Sequence, residues 1–514
     1  MISTDKYKEL SAIKLLFTSG VLLIIGHLLL QQYMPNIAAG GIGFLLLILI
    51  LGYILFYRHD LFGFIMVVYI CSHFSYGDNH GGLWNIIAAV MLMLYFLSGR
   101  HQSELKQTNT IINILLILFV FSNIVGWVIK NPMPIAPLLE GVSAFTGYML
   151  MYLLASKIEI TANKIRILLS IVFFLLMYQG AIALIQYYAL FDVGTPLVGG
   201  NTLGLGKVTE FNRPVGTIGH FELFSEYALL MVCLLMPLLS STTTRTEIKF
   251  NYTIISIMLF ACISIIIITS MRGAFILAVL VAVFYYIIFP FRIFSAVDKI
   301  TQQIKIIVLV ILLLPAVSIY IGVNEFVKDF SRLDTKKMNV ESVITGKSIN
   351  RGGLSDIALR RMDSESWLIG YGSGTIDSNR WAWFGLDVSK SKLYPSDFHN
   401  LYLSLPMIYG WIGSLAFLSI IILTLIRLFS VTLQYRKEKS FLLVVSFGLT
   451  VMWAVFIVHE YKISILRNAN YQMLFWIWLG LSSSVIKTIK KKWQVINKLD
   501  SDFNISLNKV NPRI

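Results

Sequence analysis

Ionisable residues occur at a few places in this 514-residue sequence where a long apolar segment begins or ends. The first is RPVGTIGHFELFSEY, in which glycine-rich turns lead into an apolar run. Its charged and titratable residues lie at or just inside the start of that run: Arg213, His220, Glu222 and Glu226. Such groups are costly in an apolar environment unless they are paired or lie in a wet cavity. They indicate either a ligand site or interfacial side chains with one Arg/Glu pair.

The second place is TSMRGA, where Arg272 follows one apolar segment and Gly273 is a hinge into the next. The sequence offers no acidic residue close to Arg272. An arginine in this position favours an anionic ligand, although an anchor at a layer of lipid headgroups is the alternative.

A long polar segment carries the third cluster, which consists of Arg351, Arg360 and Arg361 followed by GYGSGT at 370–375. Glycines permit tight turns and allow a backbone to approach an anion. The GK[ST] ending of a nucleotide-binding P-loop is missing, and a plain turn explains the glycines equally well.

The fourth cluster is SDFHNLYLSLPMIYGWIG, in which His399 and Asn400 stand where the long polar segment returns to an apolar one. A histidine in a wet cleft can accept a proton near neutral pH, but a histidine at a helix start is also a common structural hydrogen-bonding group. Asp397 could join a serine hydrolase site, yet no GxSxG elbow accompanies it.

Two glutamines, Gln179 and Gln186, lie within another apolar segment and share a helix face because they are seven residues apart. They either line a sugar cavity or hydrogen-bond to neighbouring helices. Glu140, His459 and Glu460 are further polar residues at the ends of apolar segments. The eight histidines are scattered without metal-ligand spacing, so we expect no metal and no cofactor.

The elements that must position these residues are apolar helices. The chain is 57% hydrophobic and 13% charged, with a mean hydropathy of +0.75, which excludes a soluble enzyme. About fourteen apolar segments are long enough to predict transmembrane helices, although twelve or thirteen remain alternatives. Their centres are Leu22, Leu46, Val68, Met91, Ile117, Met149, Phe174, Leu230, Leu259, Val281, Ile311, Ser419, Val451 and Trp476.

Basic residues of the short connections fall mainly on alternate sides of these segments, which predicts an even number of spans with both termini in the cytoplasm. The net charge of +15 is then a topology signal with affinity for anionic lipid, and nucleic acid is not an expected partner. The four clusters all fall on the predicted external side.

This pattern predicts an all-α polytopic membrane protein of about 12–14 transmembrane helices with one long external loop. The expected parts are N-terminal helices at 1–191, a transmembrane core at 192–323, the external loop at 324–398, C-terminal helices at 399–488 and a basic cytoplasmic tail at 489–514. A short helix is expected to begin near Ser355 within the loop.

Four features together resemble the O-antigen ligase and O-antigen polymerase superfamily of bacterial membrane proteins: RPVGTIGH before a span, SMRGA between spans, a long external loop ending in FHN, and the following YLSLPMIYGWIGSLAFL. The resemblance covers about 180–481. Two residues depart from the motifs of the superfamily and make the subfamily harder to assign. Glu222 stands where an asparagine is frequent, and Met271 separates Ser270 from Arg272.

The resemblance implies a GT-C-like fold in the bacterial plasma membrane and an inverting, metal-independent glycosyltransferase. It would transfer or polymerise glycan from an undecaprenyl pyrophosphate carrier on the external face. His399, Arg272 and Arg351 match catalytic positions, the last less securely. Substrate contacts are then expected from Arg213, His220, Glu222, Arg360, Arg361, Asn400, Gln179 and Gln186. The implied partners are the lipid-linked donor, an acceptor glycan or glycolipid, membrane lipid and polysaccharide-export or chain-length proteins.

Other functions remain open at this point. A lipid-linked oligosaccharide flippase also has about fourteen spans and basic residues in a cavity, although its charges should face both sides of the membrane. A glycosyltransferase of the shape, elongation and division family and a non-catalytic export scaffold are further alternatives. The sequence does not distinguish a polymerase from a ligase, because both use the same donor.

Overall fold

A computed structural model describes residues 61–73, 110–130, 149–188, 214–218, 220–269, 271–288, 368–370, 400–463, 465–467 and 469–510. These residues form helices and turns, with no strand among them. The predicted spans centred on Leu22, Leu46, Met91 and Ile311 lie outside these residues, as do the helix expected near Ser355 and most of both external loops.

Each of the other predicted spans contains a helix. The helices are α1 Leu61–Cys71, α2 Thr110–Lys130, α3 Ala162–Tyr188, α4 Phe221–Leu239, α5 Tyr252–Ile268, α6 Arg272–Ile288, α7 Leu401–Gln434, α8 Phe441–His459 and α9 Ala469–Val510. Residues 149–155 are also helical. Helix α9 continues across the expected boundary between 488 and 489, so the basic tail begins as part of that helix.

Four helices of the described chain are long and apolar enough to cross a membrane. They are found in α3, α4, α7 and α8. Together with the apolar composition, they support an α-helical membrane protein.

Helix α4 lies at the centre of the described bundle. It contacts α5, α6 and α8, and 94% of its apolar window is buried, compared with 44% for α3 and for α7. Its sequence explains this position, because apolar side chains surround the helix on every face from Leu223 to Leu239. Polar groups that α4 carries must therefore find partners inside the protein.

Small residues allow the outer helices to approach one another closely. A Cβ atom added to Gly480 of α9 would lie 2.6 Å from the Ala155 Cβ atom and from the Tyr152 carbonyl oxygen. Between α2 and α7, the Ser122 hydroxyl donates a hydrogen bond to the Tyr409 carbonyl, beside Gly413. Such contacts replace the hydrophobic driving force that is missing between helices in lipid.

Helix α7 is kinked at Gly410, whose φ of 66° and ψ of 177° interrupt the helical backbone. The described piece of the long loop, residues 368–370, packs against this kink. A Cβ atom on Gly410 would lie 2.5 Å from the Gly370 nitrogen and the Leu368 carbonyl oxygen. The first glycine of GYGSGT is thus part of a backbone contact that attaches the loop to α7.

We predict that Gly410→Ala destabilises the protein by about 2–5 kcal/mol, because a positive φ is unfavourable for alanine and its methyl group would collide with backbone. Thermal unfolding of the purified protein in detergent measures the loss. Gly180→Ala in α3 is the matched control, since nothing lies within 4 Å of its added Cβ atom. Equal unfolding temperatures for the two variants would contradict the packing described above.

Candidate functional site

The described part of the first cluster begins with a turn at 214–218, immediately before α4. Gly216 adopts a φ of 58°, and a Cβ atom there would lie 2.5 Å from Oε1 of Gln179. The turn is held by Gln186, whose Oε1 accepts hydrogen bonds from the backbone of Val215 at 2.9 Å and Gly216 at 3.0 Å. Its Nε2 donates to the Gly216 carbonyl at 3.1 Å. All three of these hydrogen bonds join Gln186 to the backbone of the same turn.

Gln179 holds the next residue of the same turn. Its Oε1 accepts from the Thr217 backbone N–H at 2.8 Å, and its Nε2 donates to the Thr217 hydroxyl oxygen. The Thr217 hydroxyl in turn donates to the carbonyl of His73, after α1, at 2.7 Å. Both glutamines therefore position the turn, and the fully buried Gln179 uses both amide atoms to do so.

We predict that Gln179→Met destabilises the protein by about 1–3 kcal/mol, because the buried Thr217 N–H loses its acceptor. Gln186→Met should cost less, since Gln186 is only half-buried and water can replace it. Thermal unfolding and protease cleavage before α4 measure both changes. A larger loss from Gln186→Met would contradict this assignment.

Helix α4 starts directly after the turn. His220 is its N-cap residue in an extended conformation, and its ring stacks on Phe221 with centroids 5.3 Å apart. Glu222 is buried in the first helical turn, where a carboxylate interacts favourably with the positive end of the helix dipole. These two residues of the predicted site thus lie together at the N-terminus of the central helix.

One turn further along α4, the Glu226 carboxylate is completely buried. Its Oε2 lies 2.5 Å from Nδ1 of His459, the last residue of α8. Its Oε1 accepts a hydrogen bond from the Tyr471 hydroxyl of α9 at 2.9 Å. We call Glu226, His459 and Tyr471 the Glu226 cluster. It joins the ends of three helices through one carboxylate.

The chain that follows α8 contacts the start of α7. The Leu401 backbone N–H donates to the carbonyl oxygens of Glu460 at 3.1 Å and Ile463 at 3.0 Å. Asn400 caps α7, because its Oδ1 accepts from the backbone N–H groups of Tyr402 at 2.9 Å and Leu403 at 3.3 Å. The predicted site residue Asn400 therefore fixes where α7 begins.

The start of α6 contacts the same turn. A Cβ atom on Gly273 would lie 3.9 Å from Nε2 of His459 and 3.7 Å from Cδ of Lys462. The segment SMRGA therefore approaches the Glu226 cluster through its glycine. As a result, described residues of three of the four sequence clusters contact or approach the segment 459–463.

Several predicted site residues lie outside the described residues: Arg213, Arg351, Arg360, Arg361 and His399. Arg272 is the first residue of α6, but its side chain is not among the described parts. Their roles stay predictions. Among the described neighbours, Leu401 next to Asn400 bonds to the carbonyls of Glu460 and Ile463, and Gly273 at the start of α6 lies beside His459 and Lys462.

The sequence reasoning did not predict the Glu226 cluster. One of the two alternatives for the first sequence cluster was an Arg/Glu pair, with no glutamate named, and the described partners of Glu226 are a histidine and a tyrosine. Glu226 and His459 are 233 residues apart, and helix periodicity gives the face of a residue but not its partner. The available signal was that both residues lie at helix ends on the same predicted side of the membrane.

The described residues include no group of three or more histidine, cysteine, aspartate or glutamate side chains that could hold a metal ion. No protein-family model matches the chain, and no curated protein is similar enough to count as a relative. The resemblance to the O-antigen ligase and polymerase superfamily therefore depends on the motifs quoted above.

We predict that Glu226→Leu destabilises the protein by about 3–5 kcal/mol, since it leaves buried polar partners uncompensated. His459→Leu should also be destabilising, and the double variant should lose less than the sum by about 0.5–3 kcal/mol. Thermal unfolding of the four proteins in detergent completes the cycle. Strictly additive losses would show that the two side chains do not interact.

Proposed function

We propose that this protein is a membrane glycosyltransferase of the O-antigen ligase and polymerase type, with a GT-C-like fold. It would transfer or polymerise glycan from an undecaprenyl pyrophosphate carrier on the external face of a bacterial plasma membrane. One observation supports the proposal: Glu226 in the second turn of α4, Gly273 in the first turn of α6 and Leu401 at the start of α7 all contact or approach the segment 459–463, and these three helix starts follow or contain the resembling motifs.

The chemistry of a lipid pyrophosphate donor fits a site at helix ends. The apolar tail of the carrier holds its pyrophosphate at the depth of the lipid headgroups, which is where these helices are expected to begin. A sugar attached to pyrophosphate already has a good leaving group. The protein need only neutralise the developing phosphate charge and orient the acceptor hydroxyl.

In this proposal Arg272 and Arg351, with Arg213, bind the pyrophosphate, because a guanidinium group can form two parallel hydrogen bonds to phosphate oxygens. Arg360 and Arg361 supply further positive charge from the long loop. Gly370, from the same loop, contacts α7 at Gly410.

His399 accepts the proton of the acceptor hydroxyl in the proposed reaction. The hydroxyl oxygen forms a bond to the anomeric carbon, and the bond from that carbon to the phosphate oxygen breaks with its electron pair leaving on the pyrophosphate. A single displacement of this kind inverts the anomeric centre. In this proposal His220 and Glu222, which lie at the start of α4, contact the sugar.

We predict that His399→Ala lowers transfer by about 10²–10⁴-fold, the usual contribution of a general base. The measurement is gel electrophoresis of surface glycans from a deletion strain of the native host, complemented with wild type or variant at matched expression. Lipid-linked intermediates are extracted in parallel. His101→Ala, on the predicted cytoplasmic side, is the matched histidine control.

The pattern of products distinguishes the alternatives. Single repeat units where wild type gives a ladder indicate a polymerase, and long chains stranded on the carrier indicate a ligase. Intermediates trapped facing the cytoplasm in the deletion strain would instead indicate a flippase. A wild-type ladder from His399→Ala would refute the assignment of the base.

A further inference from the structure

Helix α7 carries an arginine close to its C-terminal end, at the opposite end from the turn at 460–463. Arg427 lies seven residues before Gln434, the last residue of the helix. Its Nη1 atom is buried and has no hydrogen-bond partner in the described structure, whereas the side chain as a whole is partly exposed. A guanidinium nitrogen without an acceptor is costly in an apolar environment. An anion that reached the exposed part of this side chain would lower that cost.

The length of α7 places Arg427 near the lipid headgroups. The helix has 34 residues, so it is about 50 Å long, and a tilt of up to about 40° does not fit it within a hydrocarbon core of about 30 Å. Directly after the helix, Tyr435 stacks on Trp493 of α9 with ring centroids 4.9 Å apart. Tyrosine and tryptophan are enriched at the membrane interface. The long side chain of Arg427 can therefore reach the phosphate layer.

Two lysines lie together where α9 packs against the helical segment 149–155. Nζ of Lys487 donates to the Ser156 carbonyl at 3.2 Å, next to Lys157 in the chain. The two ammonium groups are close enough for their charges to repel each other, and both side chains are only partly buried. Bringing like charges together is unfavourable unless an anion compensates them.

The Tyr152 side chain connects the arginine with the lysines. Its hydroxyl lies 3.2 Å from Oγ of Ser483, which is one helical turn before Lys487 on the same face of α9. The positive charge of Arg427 acts on the same hydroxyl. We call Arg427, Lys157 and Lys487 the Arg427 cluster. It gathers three cations where α7, α9 and the segment 149–155 meet.

The described carboxylate nearest in sequence to Lys157 does not reduce this charge. Oε2 of Glu159 lies 3.2 Å from Nζ of Lys491, and both side chains are more than half exposed. This carboxylate is therefore compensated by a fourth lysine. The Arg427 cluster keeps its excess of positive charge.

We propose that the Arg427 cluster binds the phosphate group of an anionic phospholipid in the predicted cytoplasmic leaflet. The guanidinium of Arg427 donates two hydrogen bonds to phosphate oxygens, and the two ammonium groups supply further positive charge. The site lies at the opposite end of α7 from the proposed glycosyltransferase site and does not depend on that function.

Apolar side chains beside Arg427 favour a phospholipid over a free phosphate ion. Ile422, Ile426 and Phe429 are 45%, 54% and 51% exposed, and their spacing places them on one face of α7. Arg427 directly follows Ile426, so the charged group lies at the border of this apolar face. A ligand that satisfies both must carry a negative phosphate and apolar chains.

Arg427→Gln is the principal test. Because Nη1 has no partner to lose, the variant should unfold at no lower temperature than wild type in lipid-free detergent. Added phosphatidylglycerol should raise the unfolding temperature of wild type more than that of the variant. Native mass spectrometry of the full chain should show about tenfold weaker phosphatidylglycerol binding, as expected for a lost charge-assisted contact. Arg427→Lys keeps the charge and should give an intermediate affinity.

Arg245→Gln is the matched control. Arg245 is exposed on the same predicted side of the membrane, within the segment Thr244–Ile248, which contacts α3 and α8. The variant makes the same change in net charge and should bind phosphatidylglycerol like wild type. Equal weakening by Arg245→Gln and Arg427→Gln would overturn the proposal, because net charge alone would then explain the binding.

Two further ligands identify the occupant. Phosphatidylcholine, which has no net charge, should bind more weakly to wild type and should not distinguish the variants. Inorganic phosphate should not stabilise wild type, since it cannot cover the apolar face of α7. Stabilisation by inorganic phosphate equal to that by phosphatidylglycerol would overturn the assignment to a lipid.

Wild-type affinity for phosphatidylglycerol in a folded Arg427→Gln protein would overturn the site itself. If Arg427→Gln unfolds at a lower temperature even without lipid, Lys487→Gln decides instead. That variant removes a partly buried ammonium group at the surface and should also weaken phosphatidylglycerol binding by several-fold. Unchanged affinity of Lys487→Gln would then overturn the site.

Discussion

The described structure depends on the pairing of one buried carboxylate. Glu226 lies on the central helix α4, where apolar neighbours exclude water, so an isolated charge would be too costly to keep. Its partners come from the ends of α8 and α9. Because α8 must end where His459 can reach the carboxylate, the following turn is fixed as well. That turn supplies the carbonyl groups that accept from the first N–H of α7.

Two kinds of side chain hold this end of the bundle in place: glutamine amides hold the turn before α4, and the Glu226 cluster joins α4 to α8 and α9. The turn before α4 is held by two glutamine amides, whose donors and acceptors match a backbone without introducing charge. The three helix ends are instead joined through a carboxylate and an imidazole. The amides hold the backbone of one turn, whereas the carboxylate links side chains from three helices.

Much of the architecture could be predicted from apolar runs, since a stretch of about 20 apolar residues has few alternatives to a helix. The sequence also indicated the starts of α4, α6 and α7, by a glycine turn, an arginine and the His399–Asn400 pair, although it did not predict that Asn400 is a cap. The shared face of Gln179 and Gln186 followed from their spacing, but their partner did not. The same holds for Glu226, whose partners are 233 and 245 residues away. Spacing specifies local geometry, while partners at such distances depend on how helices pack.

Stability alone does not explain the Glu226 cluster. Replacing a buried ion pair by well-packed apolar side chains is often neutral or stabilising, and an apolar environment makes the charged version more expensive. The bundle already has the small residues and aromatic contacts that hold helices together in lipid, such as Gly480 against Tyr152. The pairing instead determines which helix ends meet, because the buried carboxylate of α4 is satisfied where α8 and α9 bring His459 and Tyr471 to it.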